Sequence, residues 1–348
     1  MKTDDFDYFL PSDRIAQFPV EPRDSSKLLY MNVPDSQLQH SHFFDLPQIL
    51  SPGDLIVLND TRVMAARFLG FREAFNGLGA KVELLLLSRL EKSHEWRALM
   101  RPARIAQPGV RLVLEAKEGP LAATVLSRED EYVFVRLDRD IDLNNDGLIP
   151  FPRYIKNYVG EDERYQTVYS NKPASAAAPT AGLHFTPELI GVLKSKGIYF
   201  SNITLDVGAA TFLPIRGNDP NKHVLTAEHF ELSSSTAEAL NNAHRDGRRI
   251  VAVGTTVVRT LEYVLQKGWP IKGQEGYSDL FILPGHKFLA VNALITNFHL
   301  PRTSLLMLVA AFVGRDRLLD AYSEAIMQNY RFYSFGDAMF IIPSKGES

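Results

Sequence analysis

The feature that most limits what this chain can fold into is a change of pattern along its length. Between about Val82 and Leu137, short runs of strand character follow one another closely: Val82 to Leu87, Trp96 to Met100, Val110 to Leu114, Leu121 to Leu126 and Tyr132 to Val135. With Pro and Gly in the connections, this spacing predicts a small all-β barrel or sandwich. Beyond Thr180 runs of helical period alternate with short apolar strands, the pattern of an α/β domain. Thr186 caps a helix with Pro187 at its first position and Gly197 after its end, and Ile198 to Leu205 then reads as a strand. A second unit runs from the Ser233 to Thr236 cap through a helix to Gly247, a strand at Arg249 to Val253, a turn at Gly254-Thr255-Thr256 and a helix to about Gly268. Helices over Ser304 to Val313 and Arg317 to Tyr330 precede a last strand, Met339 to Ile342. Since Asp54 to Leu58 reads as a buried strand ahead of the β region, that region is expected as an insertion. The fold class is thus an α/β (α+β) domain over residues 1–65 and 150–348, with a β-barrel-like domain at 66–149.

The 348 residues suffice for two domains at roughly 150 residues each. Lys plus Arg number 38 against 41 Asp plus Glu, a net charge of −3, so a nucleic-acid partner must be met by a local patch. Such a patch is available, because Arg62 to Arg111 holds ten bases against four acids, whereas Leu112 to Leu148 holds four bases against nine acids. Charged outer faces of ordinary strands are the plainer reading of both. Cysteine is absent, which removes disulfides, thiolate zinc sites, iron–sulfur clusters and thiol nucleophiles together. The acidic start, Met1 to Asp7, is no secretory signal, and the longest wholly apolar stretch, Leu305 to Val313, falls short of the roughly 18 residues of a membrane span. A cytoplasmic protein with no membrane contact is expected.

Three segments carry candidate chemistry. In Ala176 to Thr186 small residues admit close backbone approach, Thr180 offers a hydroxyl, and His184 stands just before a helix start. In Val253 to Glu262 a glycine turn between strand and helix aims N–H groups outward, with Arg259 one turn below Thr255, an arrangement for a carboxylate or phosphate or else a crossover with a surface Arg–Glu pair. In Leu294 to Pro301 Asn297 and His299 are candidates for reading a base edge and Phe298 for stacking, or Asn297 is a turn former and Phe298 core. Asp206 to Thr211 lacks the repeated glycines of a Rossmann-type methyltransferase turn, and the remaining histidines show no metal spacing such as HExxH. No metal site is expected.

Seven strings, taken together and in order, add a resemblance. They are Arg14-Ile15-Ala16-Gln17-Phe18-Pro19 with Arg23-Asp24, Leu58 to Val63, Tyr165 to Tyr169, Ala177 to Thr186, Ala252 to Thr256, Thr296 to Pro301, and Tyr330-Arg331-Phe332 with Gly336 to Met339. Over nearly its whole length the chain resembles the S-adenosylmethionine:tRNA ribosyltransferase-isomerase family of queuosine synthesis. The resemblance implies an α/β domain with an inserted barrel-like domain and a ribosyl transfer from S-adenosylmethionine, a substrate here, with no cofactor. The acceptor is 7-aminomethyl-7-deazaguanine at the wobble position of a tRNA with a GUN-type anticodon. The products are epoxyqueuosine-tRNA, adenine and methionine, and a monomer is expected.

On that reading His184 is assigned as base or proton shuttle, with Asp60 and Asp337 as reserve carboxylates. Thr180 and Gly182 belong to the donor's cradle, and Thr255, Thr256 and Arg259 to its methionine carboxylate. Asn297 and His299 go to the deazaguanine or ribose, and Arg14, Arg62 and Arg101 to tRNA phosphates or to fixing loops. Against the family pattern, Asp206 and Thr226 stand where His is usual, Ala174 and Ala210 where Gly is usual, Asn292 where Asp is usual, and Phe151 and Arg153 interrupt an apolar Pro-rich run. A diverged or catalytically silent RNA-binding relative, and an S-adenosylmethionine-dependent RNA methyltransferase, are the competing readings.

Overall fold

The computed structural model describes residues 1–343 apart from 36, 91–93, 153, 157, 209–214 and 216. Two compact units make up the chain: Met1–Arg62, Arg153–Lys172 and Ala178–Ser348 in the first, Val63–Pro152 and Pro173–Ala177 in the second.

A nine-stranded mixed sheet forms the frame of the first unit. Its spatial order is Gln274–Ser278, Glu228–Leu232, Tyr199–Leu205, Leu55–Asn59, Ile250–Val253, Ala293–Asn297, Ala338–Ile342, Lys27–Asn32 and Gln37–His42. The four strands from Tyr199–Leu205 to Ala293–Asn297 run parallel. Leu55–Asn59, Ile250–Val253 and Ala293–Asn297 are buried at every residue, as parallel strands covered on both faces must be. Ala338–Ile342 then runs antiparallel to Ala293–Asn297 and parallel to Lys27–Asn32. The sequence pattern places Tyr199–Leu205, Leu55–Asn59 and Ile250–Val253 to within a residue or two, but gives no bounds for Ala293–Asn297 and does not supply Lys27–Asn32, Gln37–His42, Glu228–Leu232 or Gln274–Ser278.

The helices begin where their capping residues stand. Thr186 accepts from Leu189 N at 3.1 Å ahead of Pro187–Ser195, and Ser233 accepts from Thr236 N at 3.1 Å ahead of Ser234–Arg245. Ser304–Val313 is buried throughout, which accounts for its unbroken apolar run. The following helix spans Arg315–Met327, starting two residues before the expected Arg317 because Gly314, at φ 89°, supplies the sharp turn between the two helices. Among the described residues no helix is long and apolar enough to cross a membrane.

The second unit is a closed antiparallel barrel of six strands: Tyr132–Leu137, Glu95–Arg101, Gly77–Arg89, Arg67–Ala74, Arg111–Leu114 and Leu121–Glu129 in order around it. Phe68, Leu84, Leu86, Ala98, Leu121 and Val135 fill its interior. Arg67–Ala74 is the strand that sequence pattern missed. Its inward position 70 is a glycine because the backbone there lies against Val113, whose carbonyl oxygen would stand 2.2 Å from any Cβ.

Candidate active site

Open α/β sheets bind ligands outside the carboxyl ends of their parallel strands. Here those ends carry Asn59-Asp60, Asp206, Gly254 and Asn297, and the antiparallel neighbour adds Asp337 at the start of Ala338–Ile342. Thr180–His184 forms a 3-10 turn whose Ala181 lies beside Gly254, a Cβ on Gly254 being 3.7 Å from that of Ala181.

Asn297 joins two of the other candidate residues, Thr180 and His184. Its Oδ1 accepts from Thr180 Oγ1 at 3.1 Å, and its Nδ2 faces His184 Nε2 at 3.2 Å and the Tyr333 carbonyl at 3.1 Å. An amide nitrogen only donates, so His184 Nε2 is the acceptor and Nδ1 carries the proton, donated to Ser26 Oγ at 2.8 Å. Phe43 stacks on the imidazole with ring centroids 5.0 Å apart. At 4 % exposure the ring is almost dry. Burial first, then the positive charges of Arg331, Arg164 and Arg23, push its pKa down to about 3, so His184 is a neutral imidazole at physiological pH.

The remaining cradle is closely fitted. A Cβ on Gly182 would lie 1.9 Å from the Tyr169 hydroxyl and 2.9 Å from Thr167 Cγ2, so any larger residue there would displace the Tyr169 side chain. That hydroxyl is buried with no hydrogen-bond partner among the described residues, and burial together with the Asp60 charge raises its pKa. Asp60 accepts from Thr204 Oγ1 at 2.7 Å, and burial raises its carboxyl above the ordinary carboxylate range. Thr255 and Thr256 open the helix Thr255–Leu265 directly after Gly254, which sits at φ 90°.

Arg259 and Glu262 do not form the surface pair that their spacing allows. Both are buried. Glu262 accepts from the backbone N–H groups of Leu289, Ala290 and Val291 at 2.7, 3.0 and 3.2 Å. Arg259 pairs through Nη1 with Glu228 at 2.7 Å and donates from Nε to the Leu280 carbonyl at 3.0 Å, leaving Nη2 buried without a partner among the described residues.

The other candidates make contacts of their own. His299 Nε2 meets Thr296 Oγ1 at 2.9 Å, its backbone N–H donates to the Tyr322 hydroxyl at 3.0 Å, and burial pushes its imidazole down to about 3. Phe298 is core, with ring centroids 5.2 Å from Tyr322 and 4.8 Å from Phe332. Asp337 accepts from Lys27 N at 3.0 Å and Arg331 N at 2.7 Å and pairs with the Arg331 guanidinium at 3.4 Å. Arg62 forks onto Glu163, Arg14 is half-buried beside the Phe332 backbone, and Arg101 is exposed at the end of its barrel strand. Ser26, Phe43, Tyr169 and Thr204 are the contributors that the sequence reading left out. Tyr169 ends the string Tyr165 to Tyr169; the other three carry no local signal.

A family model described as Queuosine biosynthesis protein matches residues 3–341. The chain belongs to that queuosine biosynthesis family. Within the family it is similar to the S-adenosylmethionine:tRNA ribosyltransferase-isomerase of Moorella thermoacetica, at 47 % identity over 348 residues covering 98 % of this chain and 100 % of the relative. The enzyme of the same name from Carboxydothermus hydrogenoformans is 47 % identical over 345 residues, with the same coverage. The crystal structure of S-adenosylmethionine tRNA ribosyltransferase from Thermotoga maritima shares the fold with a TM-score of 0.56 at 38 % identity, covering 97 % of this chain and 100 % of that one.

Several departures from the family pattern have visible surroundings. Asp206 lies 3.3 Å from His229 Nδ1, and its carboxyl is raised to about 6, chiefly by burial. Asn292 Oδ1 accepts from Ile250 N at 2.8 Å, a bond that an aspartate would equally accept. Thr226 is exposed, while Ala174 and Phe151 are half-buried. Ala210 and Arg153 lie outside the described residues, as does the second half of the Asp206 to Thr211 turn.

Proposed function

We propose that this chain transfers the ribosyl unit of S-adenosylmethionine to tRNA and isomerises it, the reaction for which its relatives are named. The observation that carries this reading is that 47 % identity extends over 98 % of this chain and the whole of the relative. The acceptor is 7-aminomethyl-7-deazaguanine at the wobble position of a GUN-type anticodon, and the products are epoxyqueuosine-tRNA, adenine and methionine.

The sulfonium acidifies the neighbouring C–H bonds and makes methionine a good leaving group. A base removes a proton, adenine leaves taking up a proton, the amine of the modified base attacks and sheds a proton, and the C–S bond breaks to release methionine as the epoxide closes. His184 suits a shuttle: it is neutral, so it accepts a proton, and its dry surroundings make the imidazolium short-lived. Asp60, with its raised carboxyl, is the stronger base close to Tyr169. Thr180 and Gly182 cradle the donor with Thr255 and Thr256, and the buried Nη2 of Arg259 is assigned to the methionine carboxylate. Asn297 reorients between His184 and the base or ribose, with His299 beside it in sequence. Asp337 holds Lys27 and Arg331 in place rather than reacting. Arg101 meets tRNA phosphates, whereas Arg62, forked onto Glu163, and Arg14, beside the Phe332 backbone, fix loops.

The test is chromatography of purified protein with S-adenosylmethionine and tRNA carrying the aminomethyl-deazaguanine. Adenine, methionine and a nucleoside of epoxyqueuosine mass are expected. S-adenosylhomocysteine in their place makes the protein a methyltransferase, and an intact donor makes it a silent binder. His184→Ala is expected to lower turnover at saturating donor by about 10²-fold or more.

A further inference from the structure

The barrel presents an outward face whose aromatic side chains have no part in the reaction above. Its inward positions are apolar and buried, among them Val133 and Val135, Ala98 and Met100, Val82 and Leu84. Alternation puts the residues between them on the outside. On four neighbouring strands several of those outward positions are aromatic or basic, set among Glu83 and leucines such as Leu99. Phe134 stands opposite Arg97, and Tyr132 opposite Leu99 on the next outward rung. Arg101 stands opposite Glu83, and Lys81 opposite Phe71 one rung further. The three rings are half-buried, while Arg101 and Lys81 are exposed. Arg97 lies over the Tyr132 ring, 5.1 Å from its centroid, and its Nε is buried without a partner among the described residues. Glu83 is already paired with Arg67 at 3.0 Å, and neither Arg101 nor Lys81 has an ion pair among the described residues, so the face is left cationic.

We propose that this face receives the anticodon loop of the tRNA, its rings stacking on unpaired bases and its cations meeting phosphates. The inference rests on the reading that the substrate is a tRNA. Flat rings interleaved with Arg and Lys on a strand surface are how single-stranded nucleic acid is gripped, whereas the core of a protein interface is depleted of charge.

The experiment is fluorescence anisotropy of labelled, unmodified GUN-anticodon tRNA titrated with the intact protein at fixed low salt. Tyr132→Leu and Phe134→Leu keep apolar bulk and remove the ring, and Arg101→Glu reverses a charge; circular dichroism and melting confirm folding. Each is expected to raise Kd about tenfold, the scale of one lost base stack or phosphate contact. Affinities within twofold of the native protein for all three variants overturn the proposal, and a changed sedimentation coefficient in that case makes the face a contact between protein copies. Adenine release by the native protein is measured alongside. Weakened binding in the variants with no adenine released by the native protein sustains the face and overturns the reaction; adenine release with unaltered variant binding does the reverse.

Discussion

Because the Asn297 amide spends one N–H on the Tyr333 carbonyl and the other on His184 Nε2, the tautomer of the buried imidazole is set before any substrate arrives. Both His184 and His299 are held neutral, with folded pKa values of about 3 against an ordinary 6.5. Between those values the unfolded chain binds more protons than the folded one, so stability rises with pH through the window and is lost as pH falls from about 6.5 towards 3. Each histidine contributes a slope of up to about 1.4 kcal/mol per pH unit. Urea titrations at steps from pH 7 to 4 are expected to show a steadily falling midpoint, less steep in His184→Gln. A midpoint independent of pH across that range would contradict the burial of both rings. The His184 segment was legible from its small residues and from the resemblance. Ser26, which receives its Nδ1 proton, was not, since the two stand 158 positions apart and only the fold brings them together.

At the scale of elements, Glu228–Leu232 shows why part of the sheet escaped sequence reading. Its burial alternates, with Glu228, Phe230 and Leu232 inward, but a carboxylate in an inward position breaks the apolar pattern from which a strand is recognised. The acid is tolerated there because Arg259, on a helix 31 residues later, neutralises it. Removing one partner leaves a buried charge uncompensated, which costs about 3–5 kcal/mol. Arg259→Met is therefore expected to lower the chemical-denaturation stability by that order, and Glu228→Gln combined with it to recover most of the loss. A single variant as stable as the native protein would show that the pair is hydrated. Capped helices, by contrast, were placed correctly because Thr186 and Ser233 act on their own first turns.

For the molecule as a whole, a net charge of −3 conceals a basic stretch from Arg62 to Arg111. Binding of a polyanion depends on the local cations and not on the sum, and it releases counterions in proportion to the phosphates met. tRNA affinity is accordingly expected to fall at least about tenfold between 50 and 200 mM salt, with a shallower logarithmic slope in a protein carrying Arg101→Glu and Arg104→Glu. Anisotropy titrations over a salt series measure both; a slope unchanged by the double reversal would place the phosphate contacts elsewhere.

The order of strands has a consequence for the making of the protein. Lys27–Asn32 joins the sheet through Ala338–Ile342 on one side and carries Gln37–His42 on the other. On the ribosome this first hairpin emerges early, yet its place in the sheet does not exist until the last strand has been synthesised. Ser26, just ahead of that hairpin, bonds His184 in the finished fold. A nascent chain halted before Ala338 would keep its central parallel strands and lose its first hairpin as well as its last strand, so assembly of the site reports that translation has run through to that strand.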